Sequence, residues 1–576
     1  MVIKRYRVFY LAIFLMVAIF VGRLVSVQLI HHDDYVKAAN SVRVKQYELL
    51  AKRGEIYMKS GEDEVVPLVL NERTWTIFVD PSYVRSKEVV QEKLGKILDE
   101  QMIRSWDEIW SDMSNMYVEV AKGVDYKTVS AVKEANLQGV GHKETSKRVY
   151  PRGSMAAQVV GFVNAEGVGT GIEGSQSEVL SGENGLLKTV TDVNSIPLSL
   201  GDDNVEIPAK DGESIVLTLD ENVQRESEKV LRDIYNEFDI AHASVVIMNP
   251  NNGQIYSMAT YPSFEPEKYY EVQDGDLFRN YPADSPYEVA SICKTFTYAT
   301  AINEGAISPT DTYFNAGRTQ VEDITIQNAN GSMIAYGTID FYTALNYSLN
   351  TGSVEVLRRI GGGSINDKAR YTLYNYLTDH FSLGRETGSG LYEAPGVIIS
   401  PDEDEGNAVR YSNMSFGQGM NLTMVQVLAA YSSVVNGGNY YKPTVIAGKM
   451  VNGNYVANEV NGVDHQSVTP ETSATMRDML AHVRSVNGGA GDKPGYIVGV
   501  KTGTGETLND DGTYTSDKTI VGVAGYGMSS KPGSMPEYTI LVRVDGNSFL
   551  WGSEAIQAFT RLSNYMIEYL RIEPGE

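Results

Sequence analysis

In the stretch YEVASICKTF (287–296), Ser291 and Lys294 stand three residues apart. On a helix that spacing shares a face, so the hydroxyl and the ammonium can touch. A hydroxyl is a poor nucleophile until a base takes its proton. A lysine can be that base only if burial or a neighbouring positive charge brings its pKa down towards neutrality. The first turn of a helix adds free N–H groups and a positive dipole end, which stabilise a developing oxyanion. Together these are the parts of acyl transfer through a serine ester. The same spacing recurs at Ser130 and Lys133, inside Val118–Val140, a run whose apolar spacing around Val129, Val132 and Leu137 predicts one long amphipathic helix. Nothing catalytic accompanies that pair, and a solvated lysine on a helix surface accounts for it.

Two further motifs follow. YSLNTG holds Ser348 and Asn350, a Ser-x-Asn, and VKTGTGE holds Lys501, Thr502, Gly503 and Thr504. Ser-x-Asn is weak alone, since it recurs at Ser364 and Ser485. Lys-Thr-Gly occurs once, between the apolar runs YIVGV and TIVGVAGYG, as an edge-strand element would.

The elements that must position these residues can be read from their neighbours. SICKTFTYATAINEG reads as a helix opened by Ser291 and stopped at Gly305. SIVLTLDENVQRESEKVLRDIYNEF (214–238) reads as a strand that becomes a helix at Asp220, a good N-cap. In HASVVIMNPNNGQIYSMATYP (242–262), two apolar strands flank Asn251-Asn252-Gly253, a hairpin signal. Glu554–Ile572 is amphipathic and predicts a closing helix packed on a sheet. A helix followed by a hairpin points to an α+β domain, an antiparallel sheet flanked by helices.

Composition narrows the class. The 576 residues carry a net charge of −24, which excludes a nucleic-acid surface. The single cysteine, Cys293, allows no intramolecular disulfide, and the seven histidines fall in no zinc spacing, so no metal is expected. From Val8 to Ile30 the chain is mostly apolar with Arg23 as its one charge, long enough to cross about 30 Å of hydrocarbon. Lys4, Arg5 and Arg7 precede it and predict a cytoplasmic N-terminus. No A-x-A site follows, which favours an uncleaved anchor carrying an outward-facing acidic body.

The order Ser-x-x-Lys, Ser-x-Asn, Lys-Thr-Gly is shared by penicillin-binding proteins and serine β-lactamases. The blocks RVYPRGSMAAQVVGFVNAEGVGTGIEG, MNPNNGQIYSMATYPSF, GTIDFYTALNYSLNTG, FSLGRETG and SFGQGMNLTMVQVLAAYSSVVNGG extend the likeness over nearly the whole chain. The chain therefore resembles the class B penicillin-binding proteins, monofunctional peptidoglycan transpeptidases with one N-terminal anchor. The GFVNAEGVGTGIEG block looks slightly more like the division type than the type serving elongation and cell shape.

The resemblance implies a cytoplasmic segment (1–7), a transmembrane anchor (8–30), an elongated mixed pedestal or dimerisation-type domain (31–205) and a penicillin-binding transpeptidase domain with a helical subdomain (206–576). It also implies roles. Ser291 attacks a D-Ala-D-Ala stem peptide, and Lys294 takes the serine proton while Lys501 holds its pKa down. Ser348 relays a proton to the leaving D-Ala, and Asn350 bonds Lys294 and the substrate amide. Thr502, Gly503 and Thr504 bind the substrate, with the N–H groups of Ser291 and Thr504 as oxyanion hole. An amine of a neighbouring stem completes the crosslink, β-lactams acylate the same serine, and no cofactor is needed. A polytopic membrane glycosyltransferase is the implied partner.

The chain departs from the family's usual pattern around the serine. Val289-Ala290 replace Pro-Gly, Ile292-Cys293 replace Thr-Phe, and Gly505 stands where alanine is common. Cys293 reads as a small core residue. The lost Pro-Gly bears on the turn that presents Ser291, because glycine adopts backbone angles that alanine resists. Two alternatives follow: a catalytically weakened scaffold or β-lactam sensor, and a β-lactamase that hydrolyses its acyl-enzyme quickly.

Overall fold

The computed structural model describes residues 2–32, 34–35, 44–61, 64–164, 166–190, 205–329, 334–508 and 514–575. It divides into two compact units, one of Met1–Gly54 with Ser181–Glu213 and one of Glu55–Leu180 with Ser214–Glu576. In the first, the Val2–Val25 helix runs on through a wider turn, Ser26–Ile30. Tyr6–Ile30 is long and apolar enough to cross a membrane. The same unit contains an antiparallel three-stranded sheet in which Gly185–Val190 lies between Val44–Leu49 and Val205–Ile207.

The second unit has two main cores. The smaller gathers Trp75, Ile77, Leu94, Val129 and Val132 beneath the long Glu64–Val79 strand, which pairs with Val118–Val124 and with Val140–Val149. The helix expected across Val118–Val140 is thus confined to Tyr126–Ala135. Two local features divide the run. Asp125 accepts the Thr128 N–H and starts the helix, and Asn136, in the left-handed region, ends it. Val129 and Val132 do face the core, as their spacing predicts, while Leu137 lies beyond the helix end.

The larger core surrounds a five-stranded antiparallel sheet. Its strands in chain order are β1 (Ile240–Met248), β2 (Ile255–Tyr261), β3 (Tyr496–Leu508), β4 (Tyr514–Ser529) and β5 (Tyr538–Gly546), arranged β2-β1-β5-β4-β3. β1 and β2 form the expected hairpin, with Gly253 at φ +76, where a Cβ would lie 2.2 Å from the Lys442 carbonyl. β3, which carries Lys-Thr-Gly, is an edge strand as its flanks predict.

Helices cover both faces of this sheet. Gly525 on β4 abuts Phe559 of the closing helix, Ser553–Tyr569. The next residue, Tyr526, donates to the Arg477 carbonyl on the Pro470–Val486 helix. Successive strand residues point to opposite faces, so these two helices lie on opposite sides. The Glu221–Glu237 helix packs beside the closing helix, joined through Arg561–Asp233 at 2.6 Å. Asp220 caps it as predicted, accepting from Asn222 N at 2.9 Å and Val223 N at 3.1 Å.

A second, mixed sheet joins the region around residues 55–180 to the rest of this unit. Ile56–Ser60 pairs in parallel with Ser214–Asp220, which pairs with Ile446–Val451. The fold is α+β with helices packed on an antiparallel sheet.

Candidate active site

Ser291 sits in a single 3-10 turn, Ala290–Cys293, that feeds the Lys294–Asn303 helix. Ala290, just before it, adopts φ +51. The left-handed region costs a residue with a Cβ about 1–2 kcal/mol. Neighbours hold the turn there. Ala290 N–H donates to Gly417 O at 3.1 Å, and a Cβ on Gly417 would fall 1.9 Å from Ala290 O. On the other side a Cβ at Gly503 would lie 2.6 Å from Val289 O, so glycine there lets β3 close on the turn. Cys293 is buried, and desolvation pushes its thiol well up, as suits a core residue.

The two lysines lie beneath the site, both fully buried. Lys294 Nζ donates to Ser348 O at 2.5 Å, to Asn350 Oδ1 at 2.9 Å and to Ser348 Oγ at 3.2 Å. Lys501 Nζ donates to Ser348 Oγ and to Thr502 O, each at 2.9 Å. The Ser348 hydroxyl therefore bridges the two lysine nitrogens. Burial, and then the charge of Lys501, hold Lys294 well below the ordinary lysine range. Burial alone brings Lys501 down to about 7. Asn350 Nδ2 donates to Gln327 O at 3.0 Å, which fixes its amide so that Oδ1 faces Lys294.

Ser348 itself stands at φ +53. A turn at that angle favours glycine, yet a glycine would remove the hydroxyl that links the two lysines.

A cleft of about 460 Å³ opens above these groups, lined by Ser291, Ser348, Asn350, Thr502 and Thr504. The three motifs, far apart in sequence, thus meet at one place. One expected contact is absent. Among the described residues no hydrogen bond joins Lys294 to Ser291, because the 3-10 turn replaces the helical first turn and the ammonium is directed to Ser348 and Asn350. Ser130 and Lys133 show nothing comparable: Lys133 is exposed on a helix that packs Val129 and Val132 inward.

Sequence reasoning missed the cleft's rim. Phe549 and Trp551 form an edge-to-face pair 4.9 Å apart beside it, and Trp551 is 78% exposed. Tyr347 and Ile334 add apolar surface. A large indole so open to solvent signals a contact surface, but only its placement reveals that.

The family model for the penicillin binding protein transpeptidase domain matches residues 243–560, more than half of the chain. The chain belongs to the penicillin-binding protein transpeptidase family. A second model, the penicillin-binding protein dimerisation domain, matches residues 48–217. Among curated relatives, Stage V sporulation protein D of Bacillus subtilis is 29% identical over 531 residues, covering 91% of this chain and 78% of its own. Peptidoglycan D,D-transpeptidase FtsI of Escherichia coli is 24% identical over 581 residues, 98% of this chain and 91% of its own. In fold, penicillin binding protein 2X from Streptococcus thermophilus superposes with a TM-score of 0.71 at 23% identity, over 92% of this chain and 80% of that one. A peptidoglycan synthetase from Bifidobacterium adolescentis gives 0.70 at 20% identity, over 93% and 98%. A Mycobacterium tuberculosis penicillin binding protein 3 complexed with aztreonam gives 0.67 at 20% identity, over 92% of this chain and 98% of that one.

Proposed function

We infer that this family member is a serine D,D-transpeptidase that crosslinks peptidoglycan stem peptides and is acylated by β-lactams. The observation that carries the reading is the convergence of two buried lysines, both lowered in pKa, on Ser348 at the floor of the Ser291 cleft. Neutral Lys294 takes the Ser291 proton as Oγ attacks the carbonyl of the penultimate D-Ala. The N–H groups of Ser291 and Thr504 receive the oxyanion, and Thr502 holds the terminal carboxylate. As the tetrahedral species collapses, Ser348 passes a proton to the leaving D-Ala amine, and an ester remains on Ser291. A neighbouring stem's amine then attacks the ester, its proton returns through the same groups, and Ser291 is released with a new amide bond formed.

The N-terminal helix supports membrane anchoring. We take the N-terminus as cytoplasmic and the body as facing outward, with residues 31–205 as pedestal and 206–576 as the catalytic domain. A polytopic membrane glycosyltransferase is the partner we expect at the pedestal and anchor. The name of the Escherichia coli relative supports the D,D-transpeptidase reaction, and the aztreonam complex of the mycobacterial protein supports β-lactam acylation.

The strained Ala290 favours one second reading, a scaffold or sensor with weak turnover. Fluorescent penicillin labelling of the chain beside Ser291→Ala separates the two. We expect a lasting adduct on the wild type that the variant lacks. A folded wild type that takes no label sinks the enzyme reading, and an adduct that hydrolyses within seconds makes the protein a β-lactamase.

A further inference from the structure

A second cavity, of about 310 Å³, shares no lining residue with the Ser291 cleft among the described residues. Thr170 and Gly171, from the GVGTGIEG stretch, form one wall, Phe278, Asn280 and Asp284 another, and Tyr392 a third. Its chemistry is set by two acceptors that have no donor among the described residues. Asn280 is only 7% exposed; its Nδ2 donates to Met258 Sδ at 3.3 Å, while its Oδ1 is buried without a hydrogen-bond partner. Asp284 Oδ2 accepts the Asn280 N–H at 3.1 Å, while its Oδ1 is likewise buried and unpartnered. A buried acceptor left unmade carries the desolvation penalty of the group, and a larger one when it is charged.

Arg279, which itself lines the cavity, does not fill this role. Arg279 Nε lies 3.5 Å from Asp276 Oδ1, and its guanidinium sits over the Tyr281 ring at 5.9 Å. Burial raises the Asp284 carboxyl, with the Asp276 charge acting the same way, against the Asn280 N–H and Arg279. A cation entering the cavity would offset that desolvation. Tyr392, 57% exposed, offers an aromatic face beside it, which attracts cations. Phe278 and Leu391 give apolar wall for a methylene arm.

We propose that this cavity binds an aliphatic primary ammonium on an extended arm, with Asp284 and Asn280 as its acceptors and Tyr392 beside the charge. The proposal goes beyond the transpeptidase reading and does not depend on it.

The test is a calorimetric titration of the full chain in detergent with three probes. Nα-acetyl-lysine amide carries the ammonium, Nα,Nε-diacetyl-lysine amide has the same length without the charge, and cadaverine is a free diamine. The variants are Asp284→Asn, which keeps a partner for the Asn280 N–H, and Tyr392→Ala, on an exposed side chain. Thermal melts establish that each is folded, whatever the outcome of penicillin labelling. We expect saturable binding of the lysine amide, weakened at least tenfold by Nε-acetylation or by Asp284→Asn, and about threefold by Tyr392→Ala. Cadaverine binding as tightly as the amide assigns the site to free diamines; weaker cadaverine binding assigns it to a peptide-borne amine. The proposal is overturned if the diacetyl probe binds equally well, if a folded Asp284→Asn is unaffected, or if nothing saturates by tens of millimolar, which would leave the acceptors to water. Should Asp284→Asn fail to fold, an unchanged affinity in Tyr392→Ala with no preference for the charged probe overturns it equally.

Discussion

At Ser348 one hydroxyl lies within hydrogen-bond reach of two buried lysine nitrogens, on a backbone held at φ +53. Two ammonium groups so close cannot both stay charged at low cost, and removing one charge releases the other. Lys501→Met is therefore expected to let the Lys294 pKa rise, so the acid limb of the acylation rate moves to higher pH. Acylation should also slow by about 10²–10⁴-fold, the usual worth of a proton-handling group. Rates of penicillin acylation measured across pH 5 to 10 check both effects. Stability follows the same titration. Lys501 is lowered from 10.5 to about 7, so between those values the unfolded chain binds the extra proton. The wild type should then gain stability relative to Lys501→Met as pH rises through that window.

Ala290 supplies a residue-scale prediction of the opposite sign. Glycine at φ +51 escapes the Cβ penalty, though the unfolded chain becomes looser. Ala290→Gly should raise stability by up to about 1 kcal/mol and leave acylation undiminished. A thermal melt and a labelling time course measure the two. A lower melting temperature would mean that the turn does not hold the left-handed angle.

Among the elements, Asp220 ends a strand, caps a helix and ties two other segments to them. Besides capping Asn222 and Val223, its carboxylate accepts from Gly61 N at 2.8 Å and from Tyr569 of the closing helix at 2.7 Å. Losing a cap alone costs about 0.5–2 kcal/mol, and here two further donors lose their partner. Asp220→Ala should destabilise by about 2 kcal/mol or more while leaving Ser291 labelling intact below the melting transition, as denaturant unfolding followed by labelling would reveal. Element boundaries were legible where local chemistry was decisive, as at Asp220, at Gly253 and at the edge strand bearing Lys501. They were not legible across Val118–Val140. There a strand and a helix both carry apolar residues at close spacing; pairing with Glu64–Val79 draws off the strand, while Asp125 and Asn136 bound the helix.

On the scale of the whole molecule, the Tyr6–Ile30 helix and the catalytic sheet belong to different compact units. Cutting residues 1–30 away should release a protein that stays in the aqueous fraction and still takes fluorescent penicillin, whereas the full chain should sediment with membranes. Loss of labelling on truncation would mean that the anchor contributes to the site. Composition and local order determined much about this chain. The apolar span, the order of three motifs and the acidic charge are properties of short segments or of the whole count, and they survive without a fold. Tertiary structure decided what those residues can do. Lys294 reaches Ser348 across 54 positions and Lys501 reaches it across 153, and burial, which no local pattern encodes, lowers both lysines. The left-handed angle at Ala290 and the exposed Trp551 at the cleft are likewise set by chain segments that meet only after folding.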